Sequence, residues 1–119
     1  MRDKILVVEN DGDLRDAICE TLKCEGFPAE GVANVAGAET MLIERGPYRA
    51  ALVDLTIDDG DGAAVAQMLR SKHRLPVILM SAATDRMKPG LTYVRKPFDI
   101  DDLVTTLIET VRARAPRGG

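Results

Sequence analysis

Residues 4–11 read Lys-Ile-Leu-Val-Val-Glu-Asn-Asp, a short aliphatic run that ends abruptly in acidic and amide side chains. A continuous aliphatic run of this length is typical of a β-strand that is buried on both faces of a parallel sheet. The polar residues that follow the run then lie at the carboxyl end of the strand. The stretch therefore predicts an α/β fold, and it indicates the edge of the sheet at which polar chemistry is expected.

The rest of the chain alternates between strand-like and helix-like segments. Further strands are predicted at residues 27–32, 50–54, 76–80 and 91–95, and helices at residues 14–25, 35–45, 62–72 and 100–114. We expect Asp13, Asn34 and Asp99 to be the N-caps of the first, second and last of these helices. Five strands that alternate with helices predict a doubly wound parallel sheet with helices on both faces.

Length and composition limit the class of protein. The chain has 119 residues, a net charge of −3 and a pI of about 5.1, so we expect a single domain over residues 1–119, with a flexible tail at 115–119. The acidic balance argues against binding of nucleic acid by this chain. There is no apolar run long enough for a membrane span or a secretory signal, so we expect no membrane association and a cytoplasmic location.

Polar side chains follow four of the predicted strands. Glu9 comes after the first strand, Asp54 ends the third, Ser81 follows the fourth and Lys96 follows the fifth. Because the carboxyl ends of parallel strands meet at one edge of a sheet, we expect these groups to converge. Carboxylates at such an edge suit Mg²⁺, and a carboxylate beside that ion can attack phosphorus while a lysine neutralises the phosphoryl oxygens. The residues thus predict phosphoryl acceptance at Asp54.

Four stretches, taken in order, resemble the receiver domain of two-component response regulators. They are residues 5–11, 54–62, 75–82 and 93–98, and the resemblance covers essentially the whole chain. It implies a flavodoxin-like sheet with strand order 2-1-3-4-5. It also implies that Asp54 accepts a phosphoryl group from a histidine kinase or a phosphotransfer protein, and that the chain is a phosphoacceptor with slow self-dephosphorylation rather than an enzyme.

The resemblance also assigns roles to the surrounding residues. Lys96 corresponds to the lysine that binds the phosphoryl group, and its peptide bond to Pro97 is expected to be cis. Ser81 corresponds to the switch hydroxyl, and Tyr93 to the aromatic residue that rotates with it. The Mg²⁺ ligands that the resemblance implies are Glu9, Asn10, Asp54 and the backbone carbonyl of Thr56.

Two features depart from the family pattern. The second residue of the acidic pair is Asn10 instead of aspartate, which should weaken Mg²⁺ binding unless Asp11 supplies the missing charge. The segment between Ser81 and Lys96 is short and contains Pro89-Gly90, so we expect the helix between the fourth and fifth strands to be shortened or absent. That helix normally contributes to the output face of a receiver.

The leading hypothesis is a receiver without an effector domain that signals through protein contacts. The face expected to bind a downstream protein, or a second copy of the chain, is formed by the fifth strand, Tyr93 and the last helix. An alternative, motivated by Asn10, is a degenerate receiver that acts as an interaction module independently of phosphorylation. A phosphohydrolase with an aspartyl nucleophile is disfavoured, because such enzymes carry a second aspartate where this chain has Thr56.

Overall fold

The fold is a five-stranded parallel sheet in the order β2-β1-β3-β4-β5. It is described by a computed structural model for residues 4–55, 62–81 and 92–113. The strands are β1 Ile5–Val8, β2 Ala29–Val32, β3 Ala50–Asp54, β4 Val77–Ser81 and β5 Thr92–Arg95. The predicted doubly wound sheet and the strand order implied by the resemblance are both confirmed.

Four helices lie within the described ranges and cover the two faces of the sheet. They are α1 Gly12–Cys24, α2 Val35–Arg45, α3 Gly62–Lys72 and α4 Ile100–Ala113. Alternate residues of β1 point to opposite faces, because side chains of a strand alternate with a period of two. Ile5 and Val7 pack in the core beneath α1 and α4, whereas Leu6 and Val8 pack in the core beneath α2 and α3. This explains why β1 is aliphatic without interruption.

Three expectations lie outside the described residues. These are the backbone carbonyl of Thr56, the shortened helix between the fourth and fifth strands, and the tail at 115–119. The single-domain assignment of residues 1–119 remains a prediction.

The predicted N-cap of the first helix was wrong by two residues. Asp11 is the N-cap: its backbone is extended, and its Oδ1 accepts a hydrogen bond of 3.2 Å from the backbone N–H of Leu14. Asp13 instead lies within the first turn, where its negative charge is favourable near the positive end of the helix dipole. The caps predicted at Asn34 and Asp99 are borne out by side-chain acceptance from Gly37 N–H and Asp101 N–H, respectively.

No helix within the described ranges combines the length and the apolar character that crossing a lipid bilayer requires.

Replacing the true N-cap of α1 should destabilise the protein more than replacing the acid that the sequence favoured. We expect Asp11→Ala to lower the free energy of unfolding by about 1 kcal/mol, because the Leu14 N–H loses its acceptor. The matched control, Asp13→Ala, removes only a charge near the helix dipole and should cost about 0.5 kcal/mol or less. Urea unfolding of both variants measures the difference, and an equal or larger loss in Asp13→Ala would contradict the assignment.

Candidate functional site

Three polar side chains are buried at the carboxyl edge of the sheet. Glu9, Asp54 and Ser81 have relative exposures of 0%, 1% and 3%, and they are the buried polar or charged residues of the described ranges. Glu9 directly follows β1, and the other two end β3 and β4. Burial of ionisable groups is unfavourable unless they are paired, so such a cluster is unexpected in a purely structural core.

Lys96 joins the two buried carboxylates. Its Nζ lies 3.0 Å from Asp54 Oδ2 and 3.1 Å from Glu9 Oε1, and it donates a hydrogen bond to each. About a quarter of the lysine side chain is exposed, whereas the two carboxylate side chains are buried. The site therefore contains two negative charges and one positive charge when all three groups are ionised.

Backbone hydrogen bonds continue past the strand ends and hold these residues in place. The N–H of Lys96 donates to the Ser81 carbonyl at 2.8 Å, and the N–H of Glu9 donates to the Val32 carbonyl at 3.0 Å. The Lys96-Pro97 peptide bond is cis, as the resemblance implied. Each functional side chain is thus carried by the rigid end of a strand rather than by a free loop.

The two carboxylates and the lysine, called the triad below (Glu9, Asp54 and Lys96), shift the pKa values of one another. Burial and the neighbouring Asp54 carboxylate raise the pKa of Glu9, and the N–H of Asp11 and the ammonium of Lys96 only partly offset this increase. Burial alone would lower the pKa of Lys96, but its hydrogen bonds to Asp54 and Glu9 outweigh that effect and raise it. Lys96 is therefore firmly cationic, whereas the charge on Glu9 is held at a cost.

The structure brings together most of the residues selected from the sequence. Glu9, Asp54 and Lys96 are in direct contact, and Ser81 pairs with Arg95 on the adjacent strand beside them. Asn10 follows Glu9 and is exposed. Tyr93 is half-buried on β5 and packs against the core beneath α2 and α3.

Two residues near the site make contacts that were not predicted from the sequence. The N–H of Asp11 donates to Glu9 Oε2 at 3.2 Å, while the Asp11 carboxylate caps α1. The guanidinium of Arg15 donates through Nη1 to the backbone carbonyl of Glu9 at 2.9 Å. The cap of α1 was predicted at Asp13 rather than at Asp11, and no local pattern marks Arg15, since its partner is a backbone atom.

The donor set fits a hard divalent cation. Glu9 and Asp54 supply carboxylate oxygens in a buried cluster, and Mg²⁺ is commonly held by one or two carboxylates together with water. Within the described part of the chain, no three His, Cys, Asp or Glu side chains are grouped so that they could hold a metal ion together. Two buried carboxylates against one lysine leave an excess negative charge that a cation can neutralise.

Comparison with known proteins agrees with this geometry. The family model for the response regulator receiver domain matches residues 5–108. The chain belongs to the response regulator receiver family. Receiver domains of two-component systems are phosphoacceptors rather than conventional enzymes, and they generally bind Mg²⁺ at the phosphorylation site.

Curated relatives of this receiver include longer response regulators. The DNA-binding response regulator MtrA of Mycobacterium tuberculosis H37Rv is 32% identical over 124 residues, which cover 98% of this chain and 52% of MtrA. A putative response regulator of Rickettsia bellii described as NtrX-like is also 32% identical, over 87% of this chain and 23% of its own length. This receiver therefore spans about half the length of the MtrA relatives that it matches.

Solved structures show the same fold. A two-component response regulator from Clostridium difficile superposes with a TM-score of 0.85 at 19% identity, covering 96% of this chain and 100% of that one. A sensor protein from Polaromonas sp. JS666 superposes with a TM-score of 0.80 at 27% identity, covering 97% of this chain and 100% of that one.

The raised pKa of Glu9 predicts a pH-dependent effect of its removal. Because its pKa is higher in the folded than in the unfolded state, Glu9 stabilises the fold at low pH, and this contribution is lost as the pH rises above its ordinary value of 4.5. Relative to wild type, metal-free Glu9→Gln should therefore gain stability as the pH rises from 4 to 8. Urea unfolding across that range measures the difference, with Glu109→Gln on the exposed surface of α4 as the control. A difference that is independent of pH would contradict the assignment.

Proposed function

We propose that this receiver accepts a phosphoryl group on Asp54 from the phosphohistidine of a histidine kinase or a phosphotransfer protein. The observation that carries the proposal is the buried Asp54 carboxylate with the Lys96 ammonium 3.0 Å from its Oδ2. A lysine at this distance can pair with the carboxylate before the reaction and with a phosphoryl oxygen as the new bond forms.

The transfer step is an in-line displacement at phosphorus. One Asp54 carboxylate oxygen forms a bond to phosphorus while the phosphorus–nitrogen bond of the donor histidine breaks, and the electron pair of that bond returns to the imidazole. Lys96 then pairs with a phosphoryl oxygen, and the hydroxyl of Ser81 donates a hydrogen bond to another. The acyl phosphate is hydrolysed slowly by water, since the described site contains no histidine that could act as a general base.

When bound, Mg²⁺ would supply positive charge that offsets the repulsion between the incoming phosphoryl oxygens and the carboxylates. Its proposed ligands are Glu9, Asp54, the amide oxygen of Asn10 and the backbone carbonyl of Thr56. An amide contributes no charge, so Asn10 lowers the affinity relative to an aspartate. Asp11 is a poor substitute, because its Oδ1 is engaged at the N-terminus of α1.

The proposed output is a protein–protein interaction. Recruitment of Ser81 by the phosphoryl group changes the packing of Tyr93 on β5, and the face formed by β5 and α4 presents the change to a downstream protein or a second copy of the chain. MtrA is described as DNA-binding, but the net charge of −3 gives no support for nucleic-acid contact by residues 1–119. A cytoplasmic location follows from the proposed phosphoryl donors.

Asn10 favours a second candidate, an interaction module that works without phosphorylation. The loss of one acidic charge weakens the case for Mg²⁺-dependent chemistry while leaving the fold and the buried triad intact. This candidate differs from the first in one measurable property, because it predicts no phosphoryl incorporation at Asp54.

Phosphorylation by acetyl phosphate separates the two candidates. We expect wild-type protein with Mg²⁺ to incorporate one phosphoryl group, and we expect incorporation to be lost in Asp54→Asn or after chelation of the metal. Asp16→Asn replaces an exposed carboxylate on α1 and should incorporate as well as wild type. Borohydride trapping and peptide mass spectrometry locate the label. Label on Asp11 or Asp58 would contradict the proposal, and no label in wild type would favour the interaction module.

Restoring the acidic pair should tighten metal binding. We expect Asn10→Asp to increase the affinity for Mg²⁺ about tenfold, the ratio that corresponds to 1.4 kcal/mol of additional attraction. Isothermal titration calorimetry measures the affinity, and Asn34→Asp, which changes the same residue type at the N-cap of α2, is the matched control. An unchanged affinity in Asn10→Asp would remove residue 10 from the proposed ligand set.

A further inference from the structure

Arg15 connects helix α1 to the end of strand β1. Its backbone N–H donates to the Asp11 carbonyl at 2.8 Å, which is the first helical hydrogen bond after the cap. Its side chain reaches further back along the chain, where Nη1 donates to the carbonyl of Glu9 at 2.9 Å. Because Glu9 is fully buried, this charge-assisted hydrogen bond satisfies a carbonyl that would otherwise be costly to leave unpaired.

The path of the Arg15 side chain depends on Gly31 in β2. A Cβ atom at position 31 would lie 2.8 Å from Arg15 Cγ and 2.9 Å from Arg15 Cδ, closer than such atoms can approach. The aliphatic stem of Arg15 therefore lies directly on the glycine backbone. Because Gly31 has no side chain, the Arg15 stem can cross β2 at this position, and the guanidinium reaches the end of β1.

We infer that Arg15, seated on Gly31, is a positioning residue for the Glu9 carboxylate. Glutamate has one more rotatable bond than aspartate, so its side chain can adopt more conformations. Its carboxylate is held in one position only if the backbone and both carboxylate oxygens have partners. Arg15 holds the backbone of Glu9, the N–H of Asp11 holds Oε2, and Lys96 holds Oε1. The inference rests on the proposed function in one respect, namely that Glu9 is a ligand of Mg²⁺.

The sign of the effect on metal binding distinguishes positioning from simple electrostatics. Removing a positive charge near a cation site should tighten Mg²⁺ binding if only Coulombic repulsion matters. If Arg15 positions Glu9, then Arg15→Ala should weaken Mg²⁺ binding about tenfold, the scale reported for groups that orient metal ligands. Alanine favours the helical conformation, so α1 is retained in this variant.

Three further variants complete the calorimetric measurement. Arg112→Ala makes the same change of net charge in the last turn of α4, at the opposite edge of the sheet, and should leave the Mg²⁺ affinity unchanged. Gly31→Ala should weaken binding by displacing the Arg15 stem. The double variant Arg15→Ala/Gly31→Ala should bind like Arg15→Ala alone, because the clash has been removed. Urea unfolding of each variant identifies a merely structural role, in which stability falls and the affinity does not.

A metal-free measurement tests the inference independently of the proposed function. If Arg15 positions Glu9, the Asp11 amide proton should exchange with solvent about fivefold faster in Arg15→Ala, which corresponds to the loss of one typical hydrogen bond. Unchanged or tighter Mg²⁺ binding in Arg15→Ala would overturn the inference. If wild type binds no Mg²⁺, the metal role of Glu9 fails and the exchange measurement decides alone: faster exchange supports positioning, and unchanged exchange overturns it.

Discussion

The rest of the site depends on one constraint, the burial of two carboxylates that share a single lysine. Glu9 and Asp54 are almost completely inaccessible to water, and Lys96 lies within 3.1 Å of both. Leaving either acid without this partner would place an uncompensated charge in a medium of low dielectric constant, which is strongly unfavourable. The pairing still leaves one excess negative charge, so the site is prepared for a ligand that brings positive charge. This imbalance, rather than any single residue, is the physical basis of the proposed phosphoryl chemistry.

The parallel sheet makes that pairing possible. Strands β1 and β3 are adjacent, so the carboxylates that follow or end them meet, and β5 delivers Lys96 from the far side of β4. The two helical layers bury the aliphatic residues of β1 on both faces. They thereby fix the position of Glu9, which directly follows this strand. At the start of α1, Asp11 serves this arrangement twice, because its carboxylate caps the helix and its N–H binds Glu9.

Asn10 distinguishes the proposed metal site of this receiver from the family pattern. The proposed metal site has one charge fewer than the family pattern, and the nearest acidic residue is committed to the helix cap. The burial and pairing of the triad do not depend on residue 10, which is exposed. On the proposed function, a substitution at residue 10 would therefore change the strength of metal binding while leaving the buried Asp54 carboxylate and its lysine partner in place.

The sequence by itself determined the order of elements, the two-faced core and the set of polar residues at the strand ends. These depend on local periodicity and on a topological rule, which is why Glu9, Asp54, Ser81 and Lys96 were predictable. Only the tertiary structure decided which groups bind one another. The lysine meets a glutamate that lies 87 positions away, Asp11 rather than Asp13 caps α1, and Arg15 reaches a backbone carbonyl across Gly31. Each of these contacts is set by a distance of about 3 Å between particular atoms, and the lysine–glutamate contact joins opposite ends of the chain. Such distances follow from strand register and helix packing, which a local pattern of residues does not contain.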